Sequence, residues 1–535
     1  MLQDCLKKTT AYYLSGARWW MPLCAGVLYS FALPPLNHET HWSLALFPFL
    51  SFVILLPLAA FAVQHSLKRA VLHTFLYGYT AALGQYHWLI FDKVEGLWHF
   101  VIIGLLLTSA VVGCLYLAAG LLFRIAVHFF PKAYVIIFPA LWVLIDYCRT
   151  LGDCAFPWAF LGYALTPLLP LAQLASVTGV WGLTFLIVLG NMLIWQFLRN
   201  AFLGAANKKQ LGLLTAFAAF LLVASSCGWF RMRHYSGLPR HSVTISLLQP
   251  NIDQFHWSNN MLDTAYAVCE SLMVNAAPEK PGLMVLPESA LLCYITHRQD
   301  YKARLVAAIR HARTPLIFGS LDWKPASSGS SYDPYVYNTA FYIDTGAAGF
   351  KSYHKMKLVP FSEALPFEWL FPLLSRVNLG EADFHRGTEQ TVFSTSTNVK
   401  AAPFICYESI FPDFVRRRVQ RGVNLMVNIT NDGWFGKSSG PYHHAMMARM
   451  RSIENGASLA RCANSGISMF VDPVGAINGT TGLYQKAILT RSVSLNVLPT
   501  LYTKFGDWFV AGCGILICAA LASAALKRRV GRSVF

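Results

Sequence analysis

The sequence predicts a membrane α-helical bundle of about eight spans joined to one soluble α/β domain. Three observations point there. Of 535 residues, 55% are hydrophobic and only 13% charged, with a mean hydropathy of +0.43. A soluble domain carries about 25% charged residues, so much of this chain belongs in lipid. Apolar runs near the roughly 20 residues that cross a bilayer recur up to position 230 and return once near the end. Between them, from about 231 to 506, short β-rich runs alternate with helix-like stretches, the pattern of an α/β domain with a largely covered sheet.

Taken in order, the expected spans are 16–33, 42–63, 70–91, 98–127, 133–149, 171–198 and 211–230, with an eighth at 507–526. No small-residue cleavage site follows the first run, so it reads as an uncleaved membrane helix. The connecting loops alternate in charge. One side holds Lys7, Lys8 and Arg18, then Lys68 and Arg69, Arg124 and Lys132, Arg199, Lys208 and Lys209, and the tail with Lys527, Arg528, Arg529 and Arg532. The other side offsets Lys93 with Asp92 and Glu95, and Arg149 with Asp153. The positive-inside rule then puts both termini in the cytoplasm and residues 231–506 outside. The domains are therefore expected at 1–230, 231–506 and 507–535, the last being a membrane helix with a basic tail. A net charge of +17 often signals nucleic-acid binding; here the cations are spread over short loops, which fits membrane topology and anionic headgroups.

Within 231–506 the expected strands are Val243–Leu248, Leu283–Leu286, Leu316–Gly319, Thr339–Ile343, Pro403–Cys406, Leu425–Ile429 and Ser468–Val471. Leu262–Asn275, Tyr301–Arg313 and His443–Gly456 read as helices. The 12 cysteines form no spaced framework: there is no CxxC pair and no zinc-like Cys/His spacing. No metal or cofactor is expected.

Four strand ends carry polar residues. Leu283–Leu286 runs through Pro287 into Glu288; proline fixes the exit, and a carboxylate there is held firmly. Lys355 precedes the apolar Leu358-Val359-Pro360, and Glu363 follows it. Ala402–Ile405 ends on Cys406, with Tyr407 and Glu408 next. Asn428–Gly436 is a polar turn with Trp434 and Phe435 as a suggested pocket wall. Alone, each has an ordinary explanation: an exposed Glu, a solvated Lys, a small buried thiol, a common Asn/Asp/Gly turn. Together they supply a nucleophile, a base and a cation. Glu288 takes the proton of Cys406 and Lys355 stabilises thiolate and oxyanion. Such a set suits attack on a carbonyl or nitrile carbon through a thioester or thioimidate.

These segments resemble the Glu-Lys-Cys signature of the nitrilase, or carbon–nitrogen hydrolase, superfamily, and Arg451–Asn455 with Asn464-Ser465-Gly466 is similar to its later motif. Leu-Val-Pro-Phe-x-Glu at 358–363, Ile-Cys-Tyr-Glu at 405–408 and Asn-Asp-x-Trp-Phe-Gly at 431–436 narrow the resemblance to the apolipoprotein N-acyltransferase family, as does a domain inserted before the last span. The resemblance implies an αββα sandwich, a catalytic triad of Glu288, Lys355 and Cys406, and supporting roles for Trp257, Glu363, Tyr407 and Glu408. Trp434 is added as a substrate-side residue. The sequence departs from the family at Ser362, where Gly is common, at Gly433, where Ala is usual, and at Pro250, where Gly is usual. All three are neighbours of the site.

The implied reaction is a two-step acyl transfer. Cys406 takes an acyl chain from a membrane phospholipid, and the α-amine of a diacylated apolipoprotein then accepts it, in the bacterial inner membrane with the domain facing the periplasm. The partners expected are these two lipids and the membrane, with no nucleic acid, for a chain that is a monomer. Leu365–Leu374, rich in Phe and Trp, reads either as a membrane-dipping arm or as a packed loop. Two alternatives stand beside this reading. A membrane-anchored amidase or nitrilase would resolve the thioester with water, yet eight spans exceed what an anchor needs. A transporter would place more ionisable groups at midplane than His73, His87 and Asp146. Phospholipid preference and the role of Glu408 are not encoded legibly.

Overall fold

The structure, a computed structural model, describes residues 20–31, 48–64, 66–91, 98–202, 204, 208–239, 241–253, 261–325, 335–346, 349–367, 370 and 384–532. The N-terminal part is helical: α1 (Trp20–Ser30), α2 (Leu56–Ala62), α3 (Leu67–Tyr86), α4 (Trp98–Phe129), α5 (Tyr134–Cys148), α6 (Val180–Phe202) and α7 (Lys208–Ser236). Tyr29, Tyr77 and Tyr116 lock α1, α3 and α4 together edge-to-face, with centroids 5.5 to 6.0 Å apart.

Four helices among the described residues, not eight, are long and apolar enough to cross a membrane: Val101–Phe129, Val180–Phe202, Lys208–Ser236 and Trp508–Leu526. The reasons are local. The run expected as one span at 171–198 is broken into short helical turns, Leu169–Ala172 and Ala175–Thr178, before α6 begins. The break falls at Gly179, with φ +67°, where a Cβ would lie 2.6 Å from the Tyr502 ring. Helix α5 is 15 residues long and carries Pro139. Helix α3 opens with Lys68 and Arg69 and buries His73, Thr74 and Gln85, which lowers its apolarity. The lipid signal is clearest on α7 and the last helix, whose Leu222, Val223, Ile515 and Leu521 are all more than half exposed, a surface suited to lipid rather than water. Asp146 is a buried bundle partner, not an interfacial residue: its Oδ1 takes a hydrogen bond from Arg149 at 3.0 Å.

The second part is a sandwich. Strands β1 (Ser242–Gln249), β2 (Leu283–Val285), β3 (Leu291–Tyr294), β4 (Leu316–Lys324), β5 (Tyr335–Ile343) and β6 (Lys351–His354) belong to the first sheet. Strands β7 (Phe393–Ser394), β8 (Lys400–Ile405), β9 (Leu425–Thr430), β10 (Ser458–Ala463), β11 (Met469–Val471) and β12 (Ile477–Thr480) form the second, and β13 (Ala487–Ser494) returns to the first. The first sheet runs β13-β1-β2-β4-β5-β6 with β3 on β4; the second runs β12-β11-β10-β9-β8-β7.

Alternation along the strands dictates the layers. On β9, Leu425, Val427 and Ile429 point between the sheets with Ile245, Val285 and Ile317. The opposite faces are covered by helices. Leu316 and Phe318 pack under α8 (Met261–Ala276) and α9 (Gln299–Ala312). Phe404 and Met426 pack under α10 (Pro412–Val419) and α11 (Gly440–Asn455). The result is the αββα order, closed by α12 (Trp508–Arg532) returning to the membrane part.

Every expected strand and helix of this domain is present within a few residues. The strands not anticipated include β10 and β13, which are interrupted by Arg461 and Arg491. The two parts share a core: Tyr407, Phe411, Met447, Met450 and Ile453 belong to the same apolar cluster as the bundle.

Candidate active site

Glu288, Lys355, Cys406 and Asn431 each follow the C-terminal end of a strand, β2, β6, β8 and β9 respectively. That is where an α/β sheet leaves side chains free to converge. Gly319 on β4 makes room for the first of them: a Cβ there would sit 2.6 Å from the Glu288 Cα.

The carboxylate of Glu288 is fully engaged. Its Oε1 accepts from Lys355 Nζ at 3.2 Å and from Asn338 Nδ2 at 2.8 Å, and its Oε2 accepts from the Asn431 N–H at 2.9 Å. Glu363 completes the cluster. Its Oε1 accepts from Lys355 Nζ at 2.7 Å and from Asn338 at 3.2 Å, while its Oε2 takes the Val359 N–H at 2.9 Å. Burial works against the Lys355 ammonium, but Glu288 and then Glu363 outweigh it and hold the lysine above its usual range. Lys355 is thus a fixed cation between two carboxylates.

Cys406 adopts φ +49°, a left-handed conformation uncommon for a residue with a side chain and concentrated at functional sites. Burial pushes its thiol up; Glu288 adds to this and Lys355 opposes it. The thiol at rest therefore keeps its proton, and attack requires a base to remove it as the new bond forms.

Glu408, whose role the sequence left open, points away from the thiol. Fully buried, its Oε1 accepts from Tyr353 OH at 2.6 Å, Met356 N–H at 2.7 Å and Lys357 N–H at 3.2 Å, and its Oε2 from Ile405 N–H at 2.8 Å. It ties the Lys355 loop to the Cys406 loop. Tyr407 faces the bundle: its hydroxyl donates to the Ala155 carbonyl and its ring stacks on Phe156, centroids 6.3 Å apart. Trp257 and most of 365–374 lie outside the described residues. Trp434 is half-buried; the aromatic wall is built instead by Phe435, 4.7 Å from Trp88 and 5.8 Å from Trp158.

Sequence reasoning missed a buried chain behind the nucleophile. Arg461 donates to Asp432 Oδ2 at 2.6 Å, and Asp432 Oδ1 meets His444 Nδ1 at 2.9 Å. His444 Nε2 in turn lies 3.1 Å from the Cys406 carbonyl and 3.2 Å from Ser409 Oγ. Burial, then Arg461, hold His444 below its ordinary range, so it is a neutral imidazole. The signal was an arginine in the middle of a β-run. Asn338 gave no signal at all. Among the described residues, no three His, Cys, Asp or Glu side chains converge as metal ligands.

A buried carboxylate–ammonium pair and a thiol at neighbouring strand ends are residue types suited to acyl-transfer chemistry. Comparison with known proteins agrees. Residues 244–501 match the family model described as Carbon-nitrogen hydrolase, and residues 25–193 that of the Apolipoprotein N-acyltransferase N-terminal domain. The apolipoprotein N-acyltransferase of Geobacter metallireducens is 34% identical over 392 residues, 72% of this chain and 74% of that protein. That of Bradyrhizobium diazoefficiens is 35% identical over 70% of each chain, and that of Haemophilus influenzae is 28% identical over 95% of each. The chain belongs to the apolipoprotein N-acyltransferase family.

Proposed function

We propose that this acyltransferase moves an acyl chain from a membrane phospholipid to the free α-amine of an apolipoprotein's N-terminal S-diacylglyceryl-cysteine, by way of a thioester on Cys406. In the first half, Sγ attacks the ester carbonyl carbon while Glu288 takes the thiol proton. The oxyanion faces the Lys355 ammonium. Collapse breaks the carbon–oxygen bond, and the lysophospholipid leaves as an alcohol with the proton from Glu288. In the second half, the α-amine attacks the thioester, Glu288 takes its proton, and the thiol is restored as the amide departs.

One observation carries this reading. Cys406 packs against the apolar cluster of the helical bundle on one side, while the charges that act most strongly on its thiol are Glu288 and Lys355. A nucleophile between a catalytic dyad and a lipid-facing bundle suits a donor that arrives from the bilayer.

The chain is a multi-pass protein of the bacterial inner membrane. Its catalytic domain, residues 231–506, is assigned to the periplasmic side. The support comes from the two helices that flank it. Helix α7 starts at Lys208 and Lys209, and α12 ends on Lys527, Arg528, Arg529 and Arg532, so the ends joined by the domain are those on the far side.

The test is to incubate the purified chain with acyl-labelled phospholipid. A hydroxylamine-sensitive label is expected on the protein, transferable to a diacylated lipopeptide and lost in Cys406→Ala. Release of the label to water without an acceptor would instead establish a hydrolase. Intact transfer by Cys406→Ala would remove the nucleophile assignment.

A further inference from the structure

A half-buried ammonium lies at the edge of the site and takes no part in the chemistry above. Lys357 sits two residues past Lys355, and its backbone N–H is fixed by Glu408. Its Nζ lies 5.2 Å from the centre of the Phe411 ring. Phe411 packs edge-on against Tyr407, centroids 5.0 Å apart, so the ammonium is held over the loop that carries Cys406.

The charges acting on Lys357 are those of Arg386, Glu408, Asp413 and Arg417. Both carboxylates are committed elsewhere. Glu408 is buried under its four hydrogen bonds, and Asp413 is shared by Arg416 and by Arg417, the latter at 2.6 Å. Arg386, next to Gly387 whose N–H donates to the Lys355 carbonyl at 2.8 Å, reaches Asp153 only at 3.4 Å. Among the described residues Lys357 has an aromatic ring beneath it and no carboxylate of its own. Burial, then Arg386, hold its ammonium below the ordinary lysine range, as expected for a cation that a bound anion would relieve.

The depth is informative. Arg416, adjacent to Arg417, donates to the Thr503 carbonyl at 3.4 Å. Exposed Leu501, Phe505 and Trp508 lie at the entry to the apolar helix α12, the composition of a membrane interface. Arg416 and its neighbour Arg417 therefore stand beside this interfacial segment.

We propose that Lys357, Arg386 and Arg417 form a binding site for the phosphodiester of the donor glycerophospholipid, at the mouth of the Cys406 pocket. Guanidinium and ammonium groups bind phosphate through charge-assisted hydrogen bonds. The inference rests on the phospholipid-donor reading and adds a consequence. The acceptor, a diacylglyceryl thioether, has no phosphate, so the site serves the first half-reaction and is idle in the second.

The test uses the purified full-length chain and Lys357→Gln, Arg417→Gln and Lys357→Arg variants in neutral detergent. Cys406 acylation is timed with phosphatidylglycerol and with diacylglycerol of the same chains. Transfer from preformed acyl-enzyme to a diacylated lipopeptide is timed separately. The parent should be acylated by the phospholipid about tenfold faster than by diacylglycerol, and each Gln variant should lose about that factor with the phospholipid alone. Lys357→Arg should retain the preference, and transfer to the lipopeptide should run at the parent rate in all variants. Equal losses with both donors, equal losses in both half-reactions, or no loss at all would overturn the site. A parent chain that accepts no acyl group from either donor overturns the preceding reading, and this one with it.

Discussion

The polar cluster in front of Cys406 and the polar clusters behind it are built from the same residue types and do different work. In front, Glu288, Lys355 and Glu363 share one ammonium between two carboxylates; the charges of Glu288 and Lys355 are the strongest on the thiol. Behind, Glu408 spends its oxygens on four donors, three of them backbone N–H groups, and His444 with Asp432 and Arg461 holds the Cys406 carbonyl. Burial alone does not mark a catalytic carboxylate. The difference lies in direction: toward the reacting sulfur, or toward the loop that carries it.

Exchanging one carboxylate for an amide in each cluster breaks the comparison most sharply. Glu288→Gln removes the proton acceptor and should slow Cys406 acylation by about 10²- to 10⁴-fold in the protein that is still folded. Glu408→Gln puts an amide donor against backbone N–H donors in a fully buried place. Each unsatisfied group costs about 1–3 kcal/mol, so the protein should melt several degrees lower, with the folded fraction far more active than Glu288→Gln. A Glu408→Gln protein of parental stability but without acylation would mean that Glu408 acts on the reacting atoms.

The chain behind the nucleophile predicts a pH effect of known sign. His444 is held below the ordinary imidazole value of 6.5, by burial first and Arg461 second. As pH falls through that value the unfolded chain takes up a proton that the folded chain refuses, so stability drops. Asp432 follows at lower pH. Burial alone would raise it, but Arg461 and then His444 hold it at about 2 against an ordinary carboxyl value of 3.8; its contribution is present above 3.8 and lost as pH falls toward 2. His444→Gln should flatten the part of the acid limb of thermal stability that begins as pH falls through 6.5, and leave the part below 3.8. An unchanged upper limb in that variant would show that His444 is not the titrating group.

What the sequence made legible follows the same division. The α/β alternation and the strand ends at Glu288 and Cys406 are short-range patterns, and each survives in the structure. The eight spans fared less well because apolar runs say nothing of tertiary breaks: Gly179 is required by the Tyr502 ring, which lies more than 300 positions away. Lys355 stood out by its place before an apolar segment, whereas Asn338, which binds both Glu288 and Glu363, was not visible at all. A lone Asn inside a β-run is indistinguishable from a surface residue until another strand brings its partners. Arg461 was the missed hint, since a full charge at the centre of an apolar strand requires a buried partner.

The smallest expected effect tests the seam between the two regions. Tyr407 donates its hydroxyl to the Ala155 carbonyl, in a segment whose Trp158 and Phe156 carbonyls are held by Arg149 at 2.7 and 3.4 Å. Tyr407→Phe removes the hydroxyl and keeps the ring against Phe156 and Phe411. A net hydrogen bond contributes about 0.5–1.5 kcal/mol, and the Ala155 carbonyl stays buried without this donor. Acylation of Cys406 should fall by less than about tenfold, and denaturation should reveal earlier release of the sandwich from the bundle. If the hydroxyl instead contacts the reacting lipid, Tyr407→Phe will cost as much as Glu288→Gln. The seam would then be part of the chemistry rather than its support.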